Sequence, residues 1–201
     1  MTAGGAHTVE PTGASPVRLV VTLVVAGLIS GTALAAVHVA SAPRIAENRA
    51  QALARAVLAV VPGAKRFEPH PMPEGAPGVY AAFDASGRRL GFAVEGQGPG
   101  FMDSIALLYG IDPRARRVIG LQILESRETP GLGDKIMTDP TFVHSFDRLA
   151  VDPEIVAVTR RPATAENEVD CISGATISSK AVVRIVADSV QRWLPRMQES
   201  P

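Results

Sequence analysis

Asp170-Cys171-Ile172-Ser173-Gly174-Ala175-Thr176-Ile177-Ser178-Ser179 stands immediately before the last strongly helical segment of the chain. Small residues let the backbone turn sharply and approach a ligand closely, and the helix beyond directs unpaired N–H groups and the positive end of its dipole at that turn. The arrangement suits a phosphate. Thr176 adds a hydroxyl in the turn, with the Asp170 carboxylate upstream, and a hydroxyl so placed can become the ester oxygen of a phosphate group. The same residue types also cap helices, and Ser178 or Ser179 could accept hydrogen bonds from the first-turn N–H groups with no ligand present. Spacing alone leaves both readings open.

The helix after this stretch carries an apolar stripe of Ala181, Val182, Ile185, Val186, Val190 and Trp193, with Arg184, Asp188, Gln191 and Arg192 falling largely outside it. One buried side holds its N-terminus rigid beneath Thr176. Upstream, two pairs of β-prone runs flank turn clusters: residues 79–83 and 90–94 around Asp84-Ala85-Ser86-Gly87, and residues 104–109 and 118–124 around Asp112-Pro113-Arg114. These predict two hairpins of an antiparallel sheet, and with the helices an α+β fold. Residues 141–149 are expected as a short helix with Phe142 and Phe146 inward, and residues 155–158 as a further strand. Gly96-Gln97-Gly98-Pro99-Gly100 neither opens a helix nor sits in a strand–helix–strand unit, so a dinucleotide fold is not expected.

The 201 residues carry 20 basic and 20 acidic side chains, with no basic block to neutralise a phosphate backbone, so nucleic acid is not expected as a partner. One cysteine, Cys171, allows no intrachain disulfide and no cysteine-based metal centre; the four histidines lack ligand spacing. Residues 19–43 contain no Asp, Glu, Lys or Arg, enough at about 1.5 Å per residue to cross a hydrocarbon core of about 30 Å. A cleaved signal peptide is the competing reading, since Ala40-Ser41-Ala42 resembles a cleavage site; the run exceeds the usual h-region, which favours a retained anchor. Arg18 flanks one side and Arg44 and Arg49 the other, so the positive-inside count does not itself place the C-terminal domain outside. The expected organisation is a disordered tail over 1–18, an anchor over 19–42 in membrane lipid, a helix and linker over 43–78, and a domain over 79–196.

Glu128-Thr129-Pro130-Gly131-Leu132-Gly133-Asp134-Lys135 is the second informative stretch. Its proline and glycines specify a fixed turn, and an apolar Leu132 at the tip suits either a flat aromatic ligand or a plug into the core.

Asp-x-x-Ser-Gly-Ala-Thr, as Asp170 to Thr176, resembles the flavinylation motif of the FMN-binding domain family. Glu-Thr-Pro-Gly-Leu-Gly between hairpin and motif resembles the G subunit of the Rnf (Rsx) electron-transport complex, over residues 79–193. The resemblance implies FMN joined by a phosphoester to Thr176, with Ser173, Gly174 and Ala175 forming the turn around it and Asp170 read by the attaching enzyme. It also implies flavin contacts from Thr129, Leu132 and Gly133. Partners would be the other membrane subunits of that complex, with electrons passing between reduced ferredoxin and NAD coupled to ion movement. A separate FAD-dependent, magnesium-requiring flavin transferase would mature the chain. The implied place is the bacterial inner membrane, single-pass, with the C-terminal domain periplasmic. The C subunit of the sodium-pumping NADH:quinone reductase shares the attachment motif and is the nearest alternative; a tethered binding or assembly module without flavin is another.

Overall fold

A computed structural model describes residues 15–198, which fall in two compact units, Met1–Arg49 and Ala50–Pro201. Helix α1 spans Pro16–Val60. Proline at its first position has the fixed φ a helix start needs and no N–H to strand, and the first bond runs from Leu19 N–H to Ser15 O at 3.2 Å. The expected tail therefore ends sooner than sequence alone indicated, with residues 16–18 already helical and 1–14 outside the described residues. Within the first unit, Leu19, Val20, Leu23, Leu28, Ile29 and Leu34 are all exposed. A helix this apolar and, among the described residues, this exposed is consistent with a single membrane span. Pro43 lies inside α1 and does not end it.

In the second unit, six strands follow one another in an antiparallel meander: β1 (Arg66–Pro69), β2 (Val79–Phe83), β3 (Arg89–Pro99), β4 (Ser104–Asp112), β5 (Arg117–Ser126) and β6 (Leu149–Ala150). Both expected hairpins are present, with registers such as Ala81↔Phe92 and Leu108↔Gln122. The strands are buried on both faces because side chains alternate. Phe92, Val94, Leu107, Tyr109 and Ile111 enter one core, whose other wall is helix α4 (Thr176–Gln198); Ala82, Ala93 and Leu108 enter a second, covered by Ala56, Val57 and Val60 of α1. Of the helix and linker expected over 43–78, the helical part is the lid of this core and the part after it contributes strand β1. Strand β1 has no alternating apolar pattern to announce it: its burial reads exposed, half-buried, exposed, exposed.

Glycines set how closely the helices approach. Gly110 and Gly120 face each other across β4 and β5, and a Cβ on either would strike the Val60 carbonyl oxygen, at 2.6 Å from Gly120 and closer still from Gly110. On the other face, Cβ atoms on Gly96 and Gly98 would meet Ile185 of α4 at 2.9 and 2.7 Å. The glycine run that mimics a nucleotide fingerprint is the seat of a helix. Since the obstacle at Gly110 is backbone, which cannot rotate away, Gly110→Ala is expected to cost about 3 kcal/mol. Thermal unfolding of the detergent-solubilised chain should show a drop of roughly 6–12 °C.

The remaining elements carry the site. Helices α2 (Lys135–Thr138) and α3 (Pro140–His144) follow β5, with Phe142 and Phe146 in the core as expected. The Asp139 carboxylate caps α3, accepting from the N–H groups of Thr141 at 2.9 Å and Phe142 at 3.3 Å. Strands β7 (Val156–Val158) and β8 (Glu168–Asp170) form a separate parallel pair. The Cys171 N–H continues it by donating to Val158 O at 2.9 Å. This pair delivers the chain to the turn that opens α4.

Candidate functional site

The Thr129–Leu132 segment is a type II turn by its chemistry: Pro130 and Gly131 are central, Gly131 has φ +76°, and Leu132 N–H donates to Thr129 O at 3.1 Å. Leu132 is half exposed at its tip, at 52%. The turn before α4 is the second component. Ala175 N–H donates to Ile172 O at 3.0 Å, Gly174 has φ +84°, and Ser179 N–H makes the first bond of α4 to Ala175 O.

These two turns meet. A cavity of about 300 Å³ lies between them, lined by Thr129, Leu132, Gly133, Gly174, Ala175 and Thr176, together with Phe101, Ile177 and Ser178. Six of the eight residues singled out in the sequence therefore share one groove. Ser173 is exposed at its margin and Asp170 stands apart, where its carboxylate accepts from Ala163 N–H at 2.8 Å and ties down the loop after β7.

The serines do not cap α4. Ser179 is fully buried, donating to Ala175 O at 2.9 Å and accepting from Ile172 N–H at 3.1 Å, while Ser178 donates to Glu128. Thr176, Ile177 and Ser178 precede the first intrahelical bond, so their N–H groups have no helix carbonyl. No side chain among the described residues caps them. The Thr176 hydroxyl is half-buried at the groove and has no hydrogen-bond partner there either. The capping alternative is thus the weaker one, and the first turn is open to an anion.

Glu128 is the organising residue that sequence reasoning quoted without giving it a role. It is buried, and its carboxylate accepts from Phe101 N–H at 2.9 Å, from Met102 N–H at 3.1 Å and from the Ser178 hydroxyl. One side chain thereby fixes the β3–β4 turn, the Thr129 loop and the first turn of α4. Gly133 and Gly100 must be glycines for this, since a Cβ on Gly133 would stand 2.7 Å from Glu128 and one on Gly100 would overlap its carboxylate. Burial pushes the Glu128 carboxyl up, but the hydrogen bonds from Ser178, Met102, Phe101 and Asp103 outweigh it and hold it below the usual range. Phe101 and Ile177, exposed and apolar beside the groove, were also missed; an aromatic directly after Pro99-Gly100 was the available signal.

The basic residues near the motif divide. Arg161 is bound to Glu168 at 2.7 Å, and that pairing, with the N–H groups of Thr164 and Ala165, holds the Glu168 carboxyl down to about 2. Lys135 has its Nζ at 3.8 Å from the position a Gly174 Cβ would take. Cys171 is half-buried and its thiol is pushed up by burial, with Lys180 opposing and Asp170 adding to the effect. A raised and half-buried thiol should react slowly: iodoacetamide at neutral pH is expected to alkylate the native chain several-fold more slowly than the unfolded one, and equal rates would contradict this.

The residues fit FMN on the chain's own geometry: an apolar groove for a flat ring, and at its end a free hydroxyl, unpaired N–H groups and a glycine whose missing Cβ leaves room. Fold and site define a flavin-binding domain, and the FMN-binding domain family matches residues 100–191. The chain is 33% identical to the G subunit of the ion-translocating oxidoreductase complex of Methanosarcina acetivorans over 179 residues, covering 86% of this chain and 92% of that one. It is 30% identical to the G subunit of the Na(+)-translocating ferredoxin:NAD(+) oxidoreductase complex of Acetobacterium woodii over 87% and 89%. The crystal structure of Shewanella oneidensis NqrC shares the fold, with a TM-score of 0.54 at 23% identity over 69% of this chain and 73% of that one. The chain belongs to the family of G subunits of ion-translocating oxidoreductase complexes.

Proposed function

We propose that this chain is the membrane-anchored FMN carrier of an ion-translocating ferredoxin:NAD(+) oxidoreductase complex, with the flavin bonded covalently to Thr176. The observation that carries the reading is the single groove in which the Thr129–Gly133 loop faces the Gly174–Thr176 turn. In the attachment step a flavin transferase would place FAD with its flavin-side phosphorus at Thr176. The Thr176 oxygen forms the new O–P bond, the P–O–P bond breaks, AMP leaves, and the hydroxyl proton passes to a base of the transferase. FMN supplies reversible electron transfer through its ring.

The chain's own residues hold and orient. Leu132 and Phe101 offer apolar contact to the ring, Thr129 and Gly133 shape the groove's wall, and Ser173, Gly174 and Ala175 let the backbone pass close to the phosphate. Asp170, exposed on the outer side of the turn, is accessible to the transferase that reads the motif. Covalent attachment keeps the flavin at high effective concentration on a face where a released one would be diluted away. That logic favours the periplasmic side for the domain, with α1 in membrane lipid and the rest of the complex as electron partners. No independent catalysis is assigned to the chain.

The C subunit of the NADH:quinone reductase is the second reading, supported by the shared fold. A match at 33% identity that covers 92% of a G subunit favours the first. Co-expression of the full chain with a flavin transferase, followed by denaturing gel electrophoresis, tests the carrier: a fluorescent band is expected, and a dark one contradicts it. Co-purified subunits then separate the two complexes.

A further inference from the structure

We propose that the Lys135 ammonium is the counter-charge of the phosphate carried by Thr176, a positioning residue that holds the ester over the Gly174 turn. The inference rests on the covalent-flavin reading above. Lys135 is half-buried at the start of α2, and its Nζ stands 3.8 Å from where a Gly174 Cβ would be, with Leu132 Cδ2 at 3.9 Å from the same point. Ammonium and apolar tip thus converge on a residue two positions before Thr176.

The ammonium has no hydrogen-bond or ion-pair acceptor among the described residues. Its neighbour Asp134 leaves a buried carboxylate oxygen, Oδ1, without a partner, yet Lys135 is turned to Gly174 instead. A lysine folded back over its own loop gives up side-chain entropy and part of its hydration, and an anion beside it offsets both. The phosphodiester on Thr176 supplies one negative charge where the N–H groups of the first α4 turn are also unpaired. Two other basic groups near the motif are placed otherwise: Arg161 is bound to Glu168, and Lys180 is exposed on the Cys171 side.

The test uses the full chain co-expressed with a flavin transferase, comparing wild type, Lys135→Met, Lys135→Arg and Lys180→Met. It reads the rate of modification by intact mass, the ³¹P resonance of the attached phosphate, and the rise in Tm on modification. Lys135→Met should slow attachment about fivefold, move the ³¹P resonance and shrink the Tm rise. Lys135→Arg should largely restore all three, and Lys180→Met should match wild type. Unmodified Lys135→Met should melt with unmodified wild type, since the ammonium has no partner there; a lower Tm would assign it a structural role and overturn the inference. Slower attachment with an unchanged ³¹P resonance would assign Lys135 to the transferase encounter and overturn it too. A flavinylated wild type with an indifferent Lys135→Met removes this inference alone, whereas a wild type without flavin removes the parent reading with it.

Discussion

Thr176→Val should leave the chain folded and colourless. Valine keeps the β-branched shape at the first position of α4, so packing changes little, and the Thr176 hydroxyl has no partner among the described residues to lose. On the proposed reading the substitution removes the ester oxygen, and all gel-stable flavin fluorescence should go with it. Thr176→Ser keeps an oxygen at the same position and is expected to retain some modification. Ser173, Ser178 and Ser179 do not substitute for it, because Ser178 and Ser179 are buried with their hydroxyls engaged and Ser173 lies outside the groove. A Thr176→Val chain as fluorescent as wild type would place the flavin elsewhere.

Glu128→Ala should be the most damaging change in the site to stability. It strands the N–H groups of Phe101 and Met102 and the Ser178 hydroxyl, and opens a void beneath the groove. The expected cost is about 3 kcal/mol or more. Flavin attachment should fall with it, since the loop and the α4 turn lose their common tie. Glu128→Gln tests charge separately: its oxygen can keep the two backbone bonds and its amide can donate to Ser178, so most of the geometry survives. The sign with pH follows from the depressed carboxyl of Glu128. Its stabilisation is complete above the unfolded value of 4.5 and is lost as pH falls through the lower folded value. A Tm profile descending from pH 7 should therefore fall more steeply in wild type than in Glu128→Gln, and parallel profiles would contradict the assignment.

The hairpins, α4 and the two loops were legible because local chemistry specifies them. Turn residues separate β-prone runs, a 3.6-residue stripe marks α4, and Thr129-Pro130-Gly131 admits one kind of turn. Other features depend on contacts between residues distant in sequence. Glu128 reads as one more polar loop residue until Phe101 and Ser178 are brought to it. Lys135 reads as a solvated lysine until the turn after β8 passes beneath it. Gly110 and Gly120 gave no sign that a helix carbonyl would lie against them. Strand β7 was expected from residues 155–158, whereas β1 and β8 span only four and three residues, too few for a period-2 pattern to stand out. The apolar run over 19–43 was plain, but its helical start at Pro16 depended on recognising Ser15 and Pro16 as a helix start.

The most direct measurement is tandem mass spectrometry of the peptide spanning Asp170 to Lys180 from the full chain made with an active flavin transferase. The expected result is the added mass of FMN less one water, localised to Thr176 by the fragment series. An unmodified peptide, or the added mass on any other residue, would contradict it.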